Sequence, residues 1–423
     1  ADVVLTCVEV QSSPSDADAD LAASVRTPFE IPPVGQAAGI AETVALVAQP
    51  GGAALRAGTP AGHPEWEASE HLKREEFSRA VPLALFDYLR KSSARGFVVS
   101  LSGGADSSAV AVLVHLMMQW AAAELDAAAI ATKLAGVHFP PTPGEDAAER
   151  TAHRVPLACI YQSTENSSLT TCDAARAVAE AVGAEFFEWS VQQPVQQFVQ
   201  VVAEAVGREL SWEHDDLALQ NIQARARGPA AWLLANLRGA LLLATSNRSE
   251  AAVGYATMDG DTCGRVAPIA GIDKAFLRDW LEWMENQGPT GLAPLPILHV
   301  VTQQEPTAEL RPAAAGQTDE RDLMPYRVLD AIERAAIRDK QMPLQVLQTI
   351  QQQFEEFSST QLAEWIERFF RLWCRNQWKR ERYAPSFHLD DENLDPKTWC
   401  RFPILSGNFE RELEELRKQV DSS

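Results

Sequence analysis

The sequence predicts an α/β protein built on a doubly wound parallel sheet, followed by a mostly helical C-terminal extension. Short apolar segments alternate with segments of helical periodicity between residues 66 and 244. Strands that are buried on both faces are continuously apolar, and helices connect parallel strands, so this alternation predicts βαβ units. Because ligands bind such sheets beyond the carboxyl ends of the strands, we expect the functional residues in the loops that follow the strands.

The repeated pattern can be divided into individual elements from residue 66 onwards. After about residue 325 the pattern is mostly helical up to residue 423. The predicted strands cover residues 96–101, 157–161, 185–189 and 240–244, and the predicted helices cover 66–93, 106–125, 172–182 and 217–236.

The first 65 residues differ in composition from the rest of the chain. Residues 3–10 are rich in β-branched side chains and predict one strand, and a stretch rich in Ala, Gly, Pro and Ser follows. Such a composition is typical of a linker or a surface loop. One strand with a linker is not a domain, so we interpret residues 1–65 as the end of a preceding domain and residues 66–423 as the main domain.

Charge and cysteine usage exclude several classes of function. The formal net charge is −21, which disfavours nucleic acids and anionic membranes as partners because both require a basic surface. No apolar run approaches the roughly 18 residues of a membrane span, and no signal peptide opens the chain. The six cysteines are scattered, which argues against a zinc site or a disulfide framework and predicts a reducing, cytoplasmic location.

A glycine-rich loop lies directly between the first strand and the next helix. Two glycines let the backbone turn sharply and approach a phosphate, while free N–H groups and the positive helix end face the anion. The carboxylate in the loop cannot bind phosphate itself, so we assign it to Mg²⁺ that bridges the phosphates. An ordinary strand-to-helix turn with capping side chains is the simpler alternative. The loop is Ser102-Gly103-Gly104-Ala105-Asp106-Ser107-Ser108.

The complete string SGGxDSS resembles the phosphate loop of the adenine nucleotide α-hydrolase-like group and lacks the lysine of a Walker A loop. This group includes NAD synthetases, GMP synthetase, asparagine synthetase and tRNA-thiolation enzymes. The resemblance implies a Rossmann-like fold and cleavage of ATP between its α and β phosphates to give an adenylate.

Further segments resemble NAD synthetases in particular, and they occur in the order of that family. The resemblance covers about residues 66–390, with a spacing similar to that of the long, glutamine-dependent members. The segments are NIQARAR at 221–227, LATSNRSE at 243–250 with VGY at 253–255, PIAGIDK at 268–274, PTAEL at 306–310 with QTDE at 317–320, and RNQWKR at 375–380.

This resemblance implies a role for individual residues. Asp106 and Glu250 are the expected magnesium ligands, and Lys274 is expected to neutralise negative charge on the leaving phosphates, as adenylyl transfer requires. Asp106 and Lys274 are therefore the catalytic candidates. ATP is expected to contact the whole loop, Thr245, Lys274 and Thr307, and deamido-NAD⁺ is expected to contact Asn221, Arg227, Glu250, Tyr255 and Lys379.

Some positions limit what the resemblance implies. Arg225 and Arg227 point apart on a helix, and the family pattern favours Arg227 as the residue that contacts the ligand. Met258, Arg265 and Trp378 stand where many short members have lysine, aspartate and histidine, respectively. They leave open how the nicotinate end of the substrate is held.

The nitrogen donor follows from the N-terminal region. Long members carry an N-terminal nitrilase-like glutaminase with a cysteine nucleophile. Residues 1–30 resemble only the end of that domain. We interpret Cys7, inside the strand predicted at 3–10, as a buried structural residue. The chain alone is thus expected to use ammonia, supplied from glutamine only by a glutaminase domain or partner, and to form a homodimer or a larger homo-oligomer. Another adenylating amidotransferase and a catalytically silent nucleotide-binding subunit remain the alternative functions.

Overall fold

The computed structural model describes residues 64–139, 154–304, 309–311 and 319–421. The strand predicted at residues 3–10 and the linker after it lie outside the described residues. The division at residue 65 therefore stays a prediction. Among the described residues, no helix has the length and apolar character of a membrane span.

Four parallel strands form one sheet, as the alternating pattern predicts. The sheet has the order β3-β2-β1-β4, and Val99 of the central strand is paired with Cys159 on one side and Leu243 on the other. The strands lie within two residues of their predicted bounds. They are β1 (Phe97–Ser100), β2 (Leu157–Ser163), β3 (Glu185–Ser190) and β4 (Leu241–Leu243).

Helices cover both faces of the sheet, which is why β1, β2 and β4 are mainly buried, whereas the edge strand β3 is partly exposed. Val99 and Leu243 belong to the larger hydrophobic core, on the face covered by the helices that follow β1 and β2. Val98 and Leu242, one residue earlier in each strand, pack on the opposite face against Ala231 and its helix. Because side chains alternate along a strand, neighbouring residues belong to different cores.

Strand order reverses at β1. The chain adds β2 and β3 on one side of β1 and then returns to place β4 on the other side. In open α/β sheets the crevice at such a reversal is the usual position of a ligand site. The phosphate loop follows β1 and Thr245 follows β4, so both predicted ATP contacts lie at this position.

The helices of the sheet region differ from the sequence expectations in several places. The helix predicted at residues 66–93 begins only at Leu72, after a 3₁₀ turn over Glu65–Ala68. The helix predicted at 217–236 is extended at both ends, and the helix predicted at 172–182 begins three residues earlier. The helices are α1 (Leu72–Ser92), α2 (Ala105–Glu124), α3 (Ala127–Lys133), α4 (Leu169–Ala181), α5 (Gln192–Val206), α6 (Trp212–Arg238), α7 (Arg248–Val253), α8 (Lys274–Asn286) and α9 (His299–Thr302). Of these, α3, α5, α7, α8 and α9 are not among the helices predicted from the sequence.

The C-terminal part is mostly helical, as predicted, and has a hydrophobic core of its own. Phe369, Phe370 and Trp373 are the largest fully buried side chains of this core, which also includes Ala252 and Val253 of α7. The short helix α7 therefore connects the sheet region with the C-terminal helices. These are α10 (Asp319–Asp322), α11 (Tyr326–Glu333) with a π turn over Arg334–Arg338, α12 (Pro343–Ile350), α13 (Ser359–Arg375), α14 (Gln377–Arg380) and α15 (Glu410–Asp421).

A close approach at Gly254 fixes the C-terminal end of α7 to this helical part. Gly254 has a φ of +67°, and a Cβ atom there would lie 2.4 Å from Cβ of Asn376. The Asn376 side chain donates a hydrogen bond of 2.7 Å to the Val253 carbonyl. Only glycine allows the left-handed turn and this contact together.

We expect Gly254→Ala to destabilise the protein by about 3 kcal/mol or more, because backbone strain and a steric clash add together. Gly207→Ala is the matched control, since Gly207 has a φ of +71° and nothing lies within 4 Å of a Cβ atom there. The control is expected to lose about 1 kcal/mol from strain alone. Urea unfolding measures both values, and equal losses would contradict the role of the contact with Asn376.

Candidate active site

A large cavity of about 1140 Å³ opens at the carboxyl ends of the strands. Five residues of the phosphate loop line it, while Gly103 and Ser108 are buried in the protein beneath. The other walls come from α6, the segment after α7, the first residues of α14, and α8 with α9. The cavity therefore lies where the order of the strands reverses.

The phosphate loop has the backbone geometry that its glycines predict. Gly103 has a φ of +82°, and a Cβ atom there would lie 2.1 Å from the carbonyl oxygen of Thr171. Gly104 is the N-cap of α2 and has no side chain to cap it, so the N–H groups of the first turn are left for an anion. Ser107 Oγ accepts a 3.1 Å hydrogen bond from the Ser102 N–H and supports the turn from inside.

Three charged predicted residues come together next to this loop. The ammonium of Lys274, which is only 3% exposed, contacts a carboxylate oxygen of Asp106 and lies 3.3 Å from Oε1 of Glu250. The same ammonium lies 5.6 Å from the centre of the Tyr326 ring. A buried cation between two carboxylates is a strongly polar site in a region of low dielectric. A role of Asp106 as a helix cap alone would not account for these contacts.

Asn247 completes the cluster, and it was not singled out from the sequence. Its Nδ2 donates a 2.9 Å hydrogen bond to Asp106, and its Oδ1 accepts one of 2.9 Å from the backbone N–H of Glu250. Asn247 is thereby the N-cap of α7 and links the Asp106 carboxylate to the backbone of Glu250. The spacing Asn-x-x-Glu before an apolar run is a local N-cap signal that predicts this position.

The donor set is compatible with magnesium when a nucleotide is present. No group of three or more His, Cys, Asp or Glu side chains suited to a metal ion occurs in the described part of the chain. Magnesium in nucleotide sites is commonly held by one or two carboxylates together with phosphate oxygens and water. Asp106 and Glu250 provide two such carboxylates beside the phosphate loop, so the residues present fit the ion.

The other residues assigned to the dinucleotide also line the cavity. Asn221 accepts a 2.9 Å hydrogen bond from the Thr257 hydroxyl, and Arg227 donates to the Gln162 carbonyl at 3.2 Å. Burial lowers the pKa of Arg227, against the influence of Tyr161 and other nearby acidic groups. Arg225, which is exposed, also lines the cavity. Both arginines therefore reach the cavity wall.

Tyr255 and Lys379 extend this wall towards the C-terminal helices. The Tyr255 hydroxyl donates to Asp322 at 2.9 Å, and the Lys379 ammonium donates to the carbonyls of Gly254 and Ala256 at 2.6 and 2.7 Å. Burial lowers the pKa of Lys379, and the nearby Asp261 carboxylate opposes this shift. Thr307 lies outside the described residues, and Thr245 lines the cavity.

The three positions that depart from the family pattern have different environments. Met258 is buried in the cavity wall, where its carbonyl accepts a 3.0 Å hydrogen bond from Arg225. Trp378 is partly exposed and also lines the cavity. Arg265 is exposed and is not part of the cavity lining.

Glu309, the acidic residue of the PTAEL segment, contacts the start of α4, which lies next to the phosphate loop. Glu309 accepts hydrogen bonds of 3.0 Å from the Thr171 hydroxyl and 3.3 Å from the Ser168 N–H at the start of α4. The adjacent Leu310 carbonyl accepts a 2.7 Å bond from Gln223. No local pattern predicts these contacts, because they join residues that are distant in the sequence.

Comparison with known proteins identifies the family. The family model described as NAD synthase matches residues 78–381. The chain belongs to the NAD synthase family. The solved glutamine-dependent NAD(+) synthetase of Cytophaga hutchinsonii is 44% identical, with a TM-score of 0.68 over 81% of this chain and 56% of that one. This likeness confirms the fold class expected from the sequence.

Curated members of the NAD synthase family from distant organisms are also similar. The glutamine-dependent NAD(+) synthetase of Bos taurus is 30% identical over 369 residues, which are 81% of this chain and 50% of that protein. The corresponding protein of Saccharomyces cerevisiae is 28% identical over 84% of this chain and 53% of its own length. The chain thus spans about half the length of the curated relatives it matches.

A second cluster of charged side chains lies beneath the site in this member of the NAD synthase family. Arg248 is 1% exposed and contacts Glu333 at 3.0 Å, Asp273 at 3.1 Å and Glu392 at 2.5 Å. Burial raises the pKa of Glu333 from 4.5 to about 7, although Arg248 lowers it, and the carboxylates of Asp273 and Glu392 raise it further. Glu333 therefore holds a proton more tightly in the folded than in the unfolded chain.

We expect Glu333→Gln to change how stability depends on pH. Because the pKa of folded Glu333 is raised to about 7, its contribution is fully present below the unfolded pKa and is lost as the pH rises through 7. The stability of the variant relative to wild type should therefore increase by up to roughly 3 kcal/mol between about pH 5 and pH 8. Urea unfolding across this range measures the difference.

The matched control is Glu355→Gln, at an exposed position. The stability of this control variant should match that of the wild type at every pH. A Glu333→Gln curve parallel to wild type would show that Glu333 titrates normally.

Proposed function

We propose that this chain is the synthetase part of an NAD⁺ synthase. It would activate the carboxylate of deamido-NAD⁺ with ATP and then amidate it with ammonia, releasing AMP and pyrophosphate. The buried Lys274 ammonium between Asp106 and Glu250, beside the phosphate loop, carries this proposal. A site for adenylyl transfer requires fixed positive charge where negative charge develops on the leaving phosphates.

The adenylation step follows from the arrangement of the loop. The N–H groups at the start of α2 and the Lys274 ammonium bind the pyrophosphate portion of ATP, with Thr245 and Thr307 as further contacts. The deamido-NAD⁺ carboxylate attacks the α-phosphorus and pyrophosphate leaves. No side chain acts as a nucleophile, and catalysis consists of positioning and charge neutralisation. Magnesium held by Asp106 and Glu250 would supply additional positive charge.

Further residues of the cavity wall provide the contacts for the dinucleotide. Arg227 and Lys379 bring positive charge to an anionic substrate, and Asn221 and Tyr255 offer hydrogen-bonding groups. Their present partners are mostly backbone carbonyls. The Arg227 guanidinium and the Lys379 ammonium have donors beyond those that bind these carbonyls.

Ammonia is the proposed nitrogen donor for this chain by itself. Ammonia attacks the acyl carbon of the adenylate, AMP leaves, and the extra proton passes to solvent. Glutamine hydrolysis requires a thiolate nucleophile. Burial raises the pKa of each described cysteine, including Cys263 in the cavity wall, so these thiols stay protonated at neutral pH.

We also propose that two copies associate through the exposed face of α5. Phe198, Val201, Val202 and Val206 recur at helical spacing on this amphipathic helix, and each is about half exposed or more. An apolar stripe of this kind is usually covered by a partner. The expected homodimer of the family supplies a second copy of this chain as that partner.

The activity is tested by incubating purified protein with ATP, Mg²⁺, deamido-NAD⁺ and ammonium and measuring NAD⁺ and AMP. We expect both products in equal amounts, and almost none when glutamine replaces ammonium. Folded protein that makes no NAD⁺ would overturn the proposed function. Efficient use of glutamine would overturn only the proposed nitrogen donor.

The same assay tests the role of Asp106. We expect Asp106→Asn to lower kcat by about 100-fold or more, because the change removes a charge that acts on the reacting phosphates. Asp173→Asn, at an exposed position of α4, should behave as wild type. Near-normal turnover of Asp106→Asn with an unchanged magnesium requirement would contradict the assignment.

Sedimentation velocity tests the association. We expect a dimer or larger oligomer for the wild type and a monomer for Val202→Asp, because the introduced charge would be buried without a partner. Leu405→Asp places a charge at another exposed apolar residue and should leave the oligomer intact. A monomeric wild type, or a Val202→Asp oligomer of unchanged mass, would exclude this interface.

A further inference from the structure

The start of α7 links the catalytic cluster with the buried charges beneath it. Asn247 and Glu250 contact Asp106 and Lys274 in the cavity wall. Arg248, between them in the sequence, points away from the cavity lining and into the protein. A six-residue helix is too short to be stable alone, so its tertiary contacts determine its position.

Arg248 holds the turn that leads directly into Lys274. Its Nη1 donates to the Gly271 carbonyl at 2.9 Å, and its backbone N–H donates to the Ile272 carbonyl at 2.8 Å. Its Nη2 lies 3.1 Å from Oδ2 of Asp273. The three residues that precede Lys274 are therefore all bound by one arginine.

Asp273 links Arg248 to the first turn of the helix that begins at Lys274. Its Oδ2 binds Arg248, while its Oδ1 accepts a 2.7 Å hydrogen bond from the N–H of Phe276 and caps α8. One carboxylate thus fixes the first turn of the helix relative to Arg248. A change in its rotamer would release the turn that places the Lys274 ammonium.

The other side of the guanidinium is bound by the C-terminal part. Glu333 of α11 lies 3.0 Å from Nε, and Glu392 accepts through its carboxylate at 2.5 Å and its carbonyl at 3.2 Å. Arg334 binds the same Glu392 carboxylate at 2.7 Å. Nη1 and Nη2 of the planar guanidinium donate four of these hydrogen bonds at once, which the ammonium of a lysine cannot do, whereas Nε pairs with Glu333 by charge without a hydrogen bond.

We propose that Arg248 is a positioning residue that holds Lys274 against Asp106 and Glu250. It ties the turn at residues 271–273 to the Glu392 segment, so the placement of the ammonium depends on the C-terminal part of the chain. This inference concerns the geometry of the site, and only its effect on turnover rests on the proposed function.

The test measures how accessible Lys274 is to an amine-acylating reagent, followed by mass spectrometry of the ligand-free protein. In wild type the buried and ion-paired Lys274 should react slowly. Arg248→Lys keeps the charge but loses the fork of hydrogen bonds, so we expect Lys274 to react about tenfold faster as local opening becomes easier. Lys91, which is exposed, is the internal reference and should react at an unchanged rate.

Arg380→Lys is the control for a general loss of stability. Arg380 is also a buried arginine, and it donates to the carbonyls of Ala251 and Ala252 at the other end of α7. This variant should lower the melting temperature without changing the labelling rate of Lys274. Glu392→Gln, which weakens the same network from its other side, should shift Lys274 labelling in the direction of Arg248→Lys and provides the test if that variant does not fold.

Turnover separates this inference from the proposed function. We expect Arg248→Lys to lower kcat in NAD⁺ synthesis while KM for deamido-NAD⁺ stays within about twofold, since the dinucleotide wall is unchanged. Faster Lys274 labelling without any wild-type synthesis would support the inference and overturn the function. Unchanged labelling in both Arg248→Lys and Glu392→Gln, or an equal increase in Arg380→Lys, would overturn the inference whatever the activity.

Discussion

The buried ammonium of Lys274 is the constraint around which the site is arranged. A charge that is removed from water requires partners at close range. Asp106 comes from the loop after β1 and Glu250 from the helix after β4, so the ammonium joins the two strands between which the chain order reverses. The crevice that the parallel sheet forms by topology is in this way converted into a site with fixed charges.

Different parts of the chain hold the two ends of the short helix α7. Arg248 binds the turn before Lys274 at its first residue, and Arg380 binds carbonyls near its last. Gly254 then lets Asn376 approach the end of the helix. The C-terminal helices are consequently part of the construction of the site, although most of them lie outside the cavity wall.

Local patterns in the sequence predict the sheet and the phosphate loop well, since strand burial and loop chemistry are properties of neighbouring residues. The roles of Lys274 and Glu250 are predicted only by the resemblance to a family. Local patterns do not predict the contact of Glu309 with Thr171, which spans 138 residues. The pairing of Arg248 with Glu392 spans 144 residues, so no local pattern indicates it.

Burying the charged cluster under the site costs desolvation energy. The geometry of its hydrogen bonds explains why charged residues are nevertheless found there. Buried ion pairs are often no more stabilising than apolar residues of similar volume, because desolvation offsets their attraction. Apolar side chains in place of Arg248 and Glu392 would fill the space, but they would not bind the Gly271 carbonyl or orient the Asp273 cap. Directional hydrogen bonds fix the position of a helix start more closely than apolar packing alone. The helix start that is fixed in this way is Lys274. The requirement for a defined ammonium position therefore accounts for a polar network where an apolar core would otherwise suffice.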